Sequence, residues 1–315
     1  MLSRLLKEIN NLFLFNFVIK GTQMKIIDGK GLAEKIKLEL KSEVEQIRAE
    51  NGNIPHLAAV LIGDSPASAS YVRNKVRFCE GAGFESTLIR KDESITESEL
   101  LEIIQDLNEN DDINGFIVQL PLPDHIDENK VTMAIDPKKD VDGFHPTNIG
   151  KMVQGLDSFL PATPYGIMTM LERYGIETSG KHCVVVGRSN IVGTPMSILL
   201  SRKSNPGNCT VTLTHSRTKD IGEETRRADI LIAAIGIPNF VSAGMVKEGA
   251  VIIDVGINRV EDDTRKRGYR LVGDVDYDDV SKKASFMTPV PGGVGPMTVT
   301  ALMMNTLKAA KLKTS

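Results

Sequence analysis

The residues with chemical potential fall into two groups along the chain. The first is a loop, V-V-V-G-R-S-N-I-V-G-T-P (184–195), which reads as the join between a strand and a helix. A glycine there lets the backbone approach a pyrophosphate, and a helix N-terminus favours an anion. The spacing is G-x-x-x-x-x-G rather than G-x-G-x-x-G, so the pattern alone also fits an ordinary strand-to-helix turn. The following strand ends at Thr214-His215-Ser216-Arg217, where an NAD enzyme would place a carboxylate on the ribose hydroxyls. No Asp or Glu stands there. Ser216 and Arg217 do, with Arg188 and Ser189 in the first loop, and guanidinium and hydroxyl groups suit a 2′-phosphate. The expected dinucleotide is therefore NADP.

The second group lies mostly upstream. Tyr71 and Lys75 in S-Y-V-R-N-K (70–75) are four residues apart and share one helix face, beside an apolar stripe of Val72, Val76 and Cys79. That placement suits a cleft, and it suits equally a surface lysine with its stem along a tyrosine. Gln119 closes the apolar run INGFIVQL, at a strand end where open α/β sheets hold ligands. Asp140-Val141-Asp142-Gly143 offers two carboxylates, and a tight turn with aspartates bonded to their own backbone also explains it. His125 and His145 nearby read as structural histidines. Pro289-Val290-Pro291-Gly292-Gly293-Val294-Gly295-Pro296 combines three prolines that fix a path with three glycines that permit close backbone approach.

These residues need elements to hold them. KIIDG reads as a strand and residues 30–50 as a helix, with Leu32, Ile36, Leu40, Val44 and Ile47 recurring every three or four residues. Strands follow at 56–64, FESTLI and 113–120, with helices over 67–81 and 96–110. Thr96 and Glu99 have capping-box spacing at the start of the last of these. A second block reads as a helix over 163–174, a strand over 182–187 and a helix over 194–203. Strands CTVTLTH, DILIAAIG, AVIIDVG and FMTPV (286–290) come next, and a closing helix over 297–311. The alternation predicts an α/β fold of two domains with mostly parallel sheets. The expected divisions are an extension over 1–23, a first domain over 24–165 and a second, Rossmann-like, over 166–296. The last helix, within 297–315, is expected to pack back on the first domain.

Composition narrows the function classes. The chain has 315 residues, 38 Lys and Arg against 41 Asp and Glu, and a formal net charge of −3. That balance excludes a strongly basic nucleic-acid face. Three cysteines without a C-x-x-C pair, and five histidines without H-E-x-x-H spacing, give no disulfide framework and no metal site, and suit a reducing cytoplasm. The apolar cluster near residues 12–19 is too short for a membrane span, and GTQ lacks a signal-peptidase pattern.

Taken together, the chain closely resembles the bifunctional methylenetetrahydrofolate dehydrogenase/methenyltetrahydrofolate cyclohydrolase family. The resemblance rests on SYVRNK (70–75), GFIVQLPLP (115–123), KDVDGFH (139–145), VVGRSNIVGTP (185–195), GDVD (273–276) and TPVPGGVGPMTV (288–299). It runs in the family's order over about 24–311. Ala162 departs from the cysteine that relatives often carry, without touching a catalytic role, and residues 1–23 are a second departure. The resemblance implies oxidation of 5,10-methylenetetrahydrofolate by NADP, then hydrolysis of the methenyl product to 10-formyltetrahydrofolate, in a folate cleft between the domains. It implies that Lys75 handles protons in the hydrolysis, that Gln119 holds Lys75, that Tyr71 stacks on the folate and that Asp142 binds the pterin. Val118, Leu120, Pro291, Gly292 and Gly293 would line the folate cleft, and Gly187, Arg188, Ser189, Ser216 and Ile257 would contact NADP. A cytoplasmic homodimer is also implied, with no nucleic-acid or membrane partner. The rival readings are another NADP-dependent dehydrogenase on a similar two-domain fold, and a non-catalytic folate- or nucleotide-binding protein. Pure binding has no need of Lys75.

Overall fold

The computed structural model describes residues 24–313 except Asn51 and Ser65, with the side chains of residues 66–71 outside the description. The expected extension over residues 1–23 lies outside the described residues. The order is β1 (Lys25–Ile26), α1 (Gly29–Ala49), β2 (His56–Ile62), α2 (Pro66–Ala82), β3 (Glu85–Lys91), α3 (Glu97–Glu109) and β4 (Gly115–Val118). It continues with α4 (Glu128–Ala134), α5 (Pro146–Gln154), α6 (Ala162–Arg173), β5 (His182–Val186), α7 (Gly193–Ser201), β6 (Thr210–Thr214), α8 (Ile221–Thr225) and β7 (Ile230–Ala233). The remainder is β8 (Val251–Asp254), β9 (Asn258–Glu261), β10 (Tyr269–Val272), α9 (Tyr277–Val280), β11 (Phe286–Met287) and α10 (Val294–Lys313).

Two parallel sheets organise the chain, as the α/β alternation predicts. One has the order β3-β2-β4; the other has β1-β11-β8-β7-β5-β6. In each sheet the chain leaves a central strand in both directions, around β2 and around β5. The strand ends there part to leave a crevice, the usual ligand position of such sheets. β2 is buried at every residue from Leu57 to Ile62, as a strand covered on both faces must be. Thr96 caps α3 through its hydroxyl, and the Glu99 carboxylate accepts from the Thr96 N–H, so the capping box forms.

Several expectations need correction. The KIIDG strand, read as opening the first block, pairs with β11 in the larger sheet, through Lys25↔Phe286 and Ile26↔Met287. Burial of Ile27 there anchors the chain before it crosses into α1. The strand expected over 286–290 is only Phe286–Met287, because Thr288 turns its hydroxyl onto the backbone of Asp254. The closing helix starts at Val294, three residues early, so the glycine-rich loop runs straight into its first turn. Helices α4, α5, α8 and α9 are too short to show a period in sequence. The β9–β10 hairpin was hidden by the charged stretch D-D-T-R-K-R-G between its strands.

Helix α10 packs on α6, α1 and α2, and also meets β2. Most of its length is buried, including Met297, Ala301, Leu302 and Met303. Asn305 is its one buried amide, and Nδ2 donates to the carbonyls of Val141 (2.8 Å) and Leu160 (2.9 Å). That fixes the D-V-D-G turn from behind. Asn305→Ala should lower the unfolding free energy by about 2–4 kcal/mol, since two buried carbonyls lose their donor. Urea unfolding measures this, and an unshifted midpoint would show that the carbonyls find other partners.

Candidate functional site

Lys75 sits on α2 with 5% of its surface exposed, an unusual state for a lysine. Val72 and Cys79, one turn either side, are fully buried and Val76 is half-buried, so the predicted apolar stripe carries the lysine stem inward. Lys75 Nζ donates to Gln119 Oε1 at 3.2 Å. Gln119 Nε2 donates to the Leu120 carbonyl at 2.7 Å, which turns Oε1 toward the lysine. Gln119 itself is fixed by its N–H to the Val60 carbonyl at 2.9 Å, at the end of the sheet. Burial pushes the Lys75 pKa down, while the Asp142 carboxylate and Cys79 act in the opposite sense. Asp142 is pushed up, first by burial and also by Asp140, and Lys75 opposes this. Lys75 and Asp142 thus oppose each other's neutralisation.

The two aspartates of D-V-D-G divide their work. Asp140 is buried and accepts from the N–H groups of Gly143, Phe144 and His145 and from Asn148 Nδ2. It is the turn former. Asp142, half-buried, shares a small pocket with Val118 and Leu120. His145 caps α5, its Nδ1 accepting from Thr147 N–H at 3.1 Å, and His125 Nε2 meets the Ile95 carbonyl at 2.9 Å. Both are structural, as expected. Tyr71 lies within α2, but its side chain is outside the described residues.

Pro291, Gly292, Gly293 and Ile257 line a cavity of about 630 Å³. Asn74 and Phe78 of α2 line it too, and Lys75 does not. Lys30 and Glu34 of α1 and Arg259, Arg267 and Tyr269 of the hairpin complete its polar rim. The hairpin residues were missed in sequence because nothing in that charged run marked a strand pair. Arg259 stacks on Tyr269, its guanidinium carbon 4.7 Å from the ring centre.

The predicted dinucleotide residues gather at the crevice of the larger sheet. Gly187 follows β5 with φ 111°, and an added Cβ would stand 2.1 Å from the Ala234 carbonyl oxygen. Only glycine fits, so the loop backbone is left bare as a pyrophosphate requires. Gly187 N–H donates to the Thr214 carbonyl (3.0 Å), which sets the loop beside the end of β6. Arg188, Ser216 and Arg217 are all exposed on these adjoining loops. Ser189 Oγ accepts from Val192 and Gly193 N–H at 3.2 and 3.3 Å, and so shapes the entry to α7. The residues present fit a dinucleotide with an extra phosphate. Among the described residues no group of three or more potential ligands could hold a metal ion, and no helix is long and apolar enough to cross a membrane.

Comparison with known proteins follows the same division. Residues 27–142 match the tetrahydrofolate dehydrogenase/cyclohydrolase catalytic domain, and residues 161–314 match the NAD(P)-binding domain of the same name. The chain is 63% identical to the bifunctional protein FolD of Cytophaga hutchinsonii over 290 residues, covering 92% of this chain and 100% of that protein. With its counterpart from Flavobacterium johnsoniae the identity is 60% over 292 residues, covering 93% and 99%. The crystal structure of the bifunctional FolD enzyme from Campylobacter jejuni superposes with a TM-score of 0.86 at 47% identity, covering 92% of this chain and 99% of that one. The Trypanosoma brucei enzyme, solved with NADP cofactor and inhibitor, gives 0.87 at 38% identity, covering 92% and 98%.

The electrostatics around Lys75 predict a direction. Asp142→Asn removes the carboxylate that sustains the ammonium, so the Lys75 pKa should fall further below that of a free lysine. NMR titration of labelled lysine side chains reads this, and a rise would refute the opposition described.

Proposed function

The chain belongs to the tetrahydrofolate dehydrogenase/cyclohydrolase family, and we propose that Lys75, Gln119, Asp142 and Tyr71 carry its chemistry. The protein is an NADP-dependent methylenetetrahydrofolate dehydrogenase and methenyltetrahydrofolate cyclohydrolase of one-carbon metabolism. The observation that carries the site assignment is the buried Lys75 amine, held by Gln119, its pKa lowered by burial against the pull of Asp142. We assign folate binding to the unit of residues 24–165 with the closing helix, and dinucleotide binding to residues 166–296.

When bound, NADP+ supplies the hydride acceptor for the folate methylene carbon. The bare backbone at Gly187 would take its pyrophosphate, Arg188, Ser189 and Ser216 would hold its 2′-phosphate end, and Ile257 would meet the opposite end. No proton moves in that step, so positioning is the whole demand on the protein. Hydrolysis of the methenyl cation differs. Water adds its oxygen to the cationic carbon, and Lys75, neutral, takes the released proton. The same proton goes to a folate nitrogen as its bond to that carbon opens, while the hydroxyl formed from water releases its own proton to solvent and becomes the carbonyl of the 10-formyl product. A lysine lowered by burial releases its proton more readily than a free lysine, as both halves require. Gln119 points the amine. Asp142 accepts hydrogen bonds from the pterin amino and ring N–H groups, and Tyr71 stacks on the ring system. Val118, Leu120, Pro291, Gly292 and Gly293 wall the folate. The same reading makes the protein a cytoplasmic homodimer, which light scattering of the purified chain tests.

Purified protein given methylenetetrahydrofolate and NADP+ should produce NADPH and methenyl product, with NAD+ a poorer partner in parallel. Absence of NADPH would sink the dehydrogenase assignment. Lys75→Met should reduce methenyl hydrolysis by about a hundredfold or more, the scale of general acid–base catalysis, and hydride transfer by much less. Equal loss of both would refute the role given to Lys75.

A further inference from the structure

Two buried carboxylates stand beside the 630 Å³ cavity, and one of them, Asp254, is among its lining residues. Asp254 ends β8 and Asp274 follows β10, and they are 3% and 0% exposed. Asp254 Oδ1 accepts from the N–H groups of Gly256 (3.0 Å) and Asp274 (2.9 Å), and Oδ2 from Val275 (3.0 Å). Asp274 Oδ2 accepts from the N–H groups of Ile235 (2.7 Å) and Gly236 (2.9 Å), and Oδ1 from Asn258 Nδ2 (2.9 Å). The packing is reciprocal. A Cβ on Gly256 would stand 2.2 Å from Asp274 Oδ1, and one on Gly273 would stand 1.8 Å from Asp254 Oδ2. Each carboxylate fills the space that the other segment's glycine leaves bare.

The segments tied together are the ones that meet in the crevice. Ile235 and Gly236 follow β7 beside Gly187, whose added Cβ would meet Ile235 Cγ2 at 3.2 Å. Asn258 opens β9, and Ile257 just before it is 53% exposed on the wall of the 630 Å³ cavity. Thr288 Oγ1 accepts from Asp254 N–H at 2.8 Å, one residue before the Pro289–Pro296 loop on the same cavity. The phosphate loop lies at one end of this arrangement and the folate wall at the other. Ile257 therefore stands where the reacting end of the dinucleotide must meet the folate.

We infer that Asp274 is a positioning residue for hydride transfer, acting through Asn258 to hold Ile257 and the hairpin base against the nicotinamide end of bound NADP. The inference rests on the cofactor reading above. It predicts a split between the two activities, because Lys75 and its partners belong to the other sheet. Burial of Asp254, whose pKa is pushed up to about 6, fits a tightly closed lock around the pair.

Asn258→Ala deletes one side-chain donor to a charged group and leaves the backbone pairing of β9 with β10 in place. It should weaken NADP+ binding, measured by calorimetry, about tenfold and lower hydride transfer, with hydrolysis of supplied methenyltetrahydrofolate within about twofold of the parent. Asp274→Asn keeps one oxygen for the Ile235 and Gly236 N–H groups and can donate its amide to a turned Asn258. It should therefore recover most of what Asp274→Ala loses in NADP+ affinity. Should Asp274→Ala fail to fold, Asn258→Ala alone decides. Unchanged NADP+ affinity in Asn258→Ala, or equal loss of both activities, would overturn the inference. A parent protein that makes no NADPH would instead overturn the cofactor reading.

Discussion

The site depends on keeping one ammonium group out of water. A buried charge is tolerated only where hydrogen bonds and an opposite charge replace its hydration. Gln119 comes from the end of β4 and Asp142 from the turn beyond, so three separated segments must be in register before the lysine is satisfied. The parallel pairing of β2 with β4 sets Gln119, and Asp140 with Asn305 sets the turn. The cluster is thus a product of the whole first sheet and of the chain's last helix. Removing the helix contact and removing the turn former would reach the same lysine by different routes.

The larger sheet answers a different constraint, close approach of backbone to ligand. At Gly187 the neighbouring Ala234 carbonyl leaves no space for a side chain, and the bare loop results. Rigidity is then needed elsewhere, because bare loops hold nothing by themselves. The Asp254–Asp274 pair supplies it by gathering backbone N–H groups from the loops after β7, β8 and β10. Such carboxylates lower in energy only when every oxygen is bonded, and here each oxygen is.

Sequence periodicity carried the larger elements well. The long helices, the buried strands and the capping box at Thr96 follow from patterns confined to one segment, and the glycine-rich loops follow from residue type. Lys75 was legible as a candidate, yet its burial was not, because four-residue spacing to Tyr71 fits a surface pair equally well. D-V-D-G hid its division of labour, since which aspartate bonds the backbone depends on how the turn lies against Asn305 and Asn148. The hairpin and the carboxylate pair were illegible for the same reason. Asp254 and Asp274 are 20 residues apart, and only the fold brings their glycine neighbours face to face.

The separation of the two sheets matches the separation of the two chemistries. Hydride transfer moves no proton and needs a fixed distance, which a lattice of backbone hydrogen bonds can hold. Hydrolysis needs a group that can gain and lose a proton, and such a group requires burial tuned against a neighbouring charge. One element cannot easily satisfy both, because a lattice rigid enough to fix distance leaves no titrating group unbonded. With the lysine on α2 and the carboxylate lock among the loops of the larger sheet, each requirement is met where the other is absent. On the proposed assignment the folate would lie against both, so the product of the first step would already be beside the amine that handles the second. The net charge of −3 is consistent with this economy: the few charges that matter are local, and the chain needs no broad field to recruit a folate or a dinucleotide.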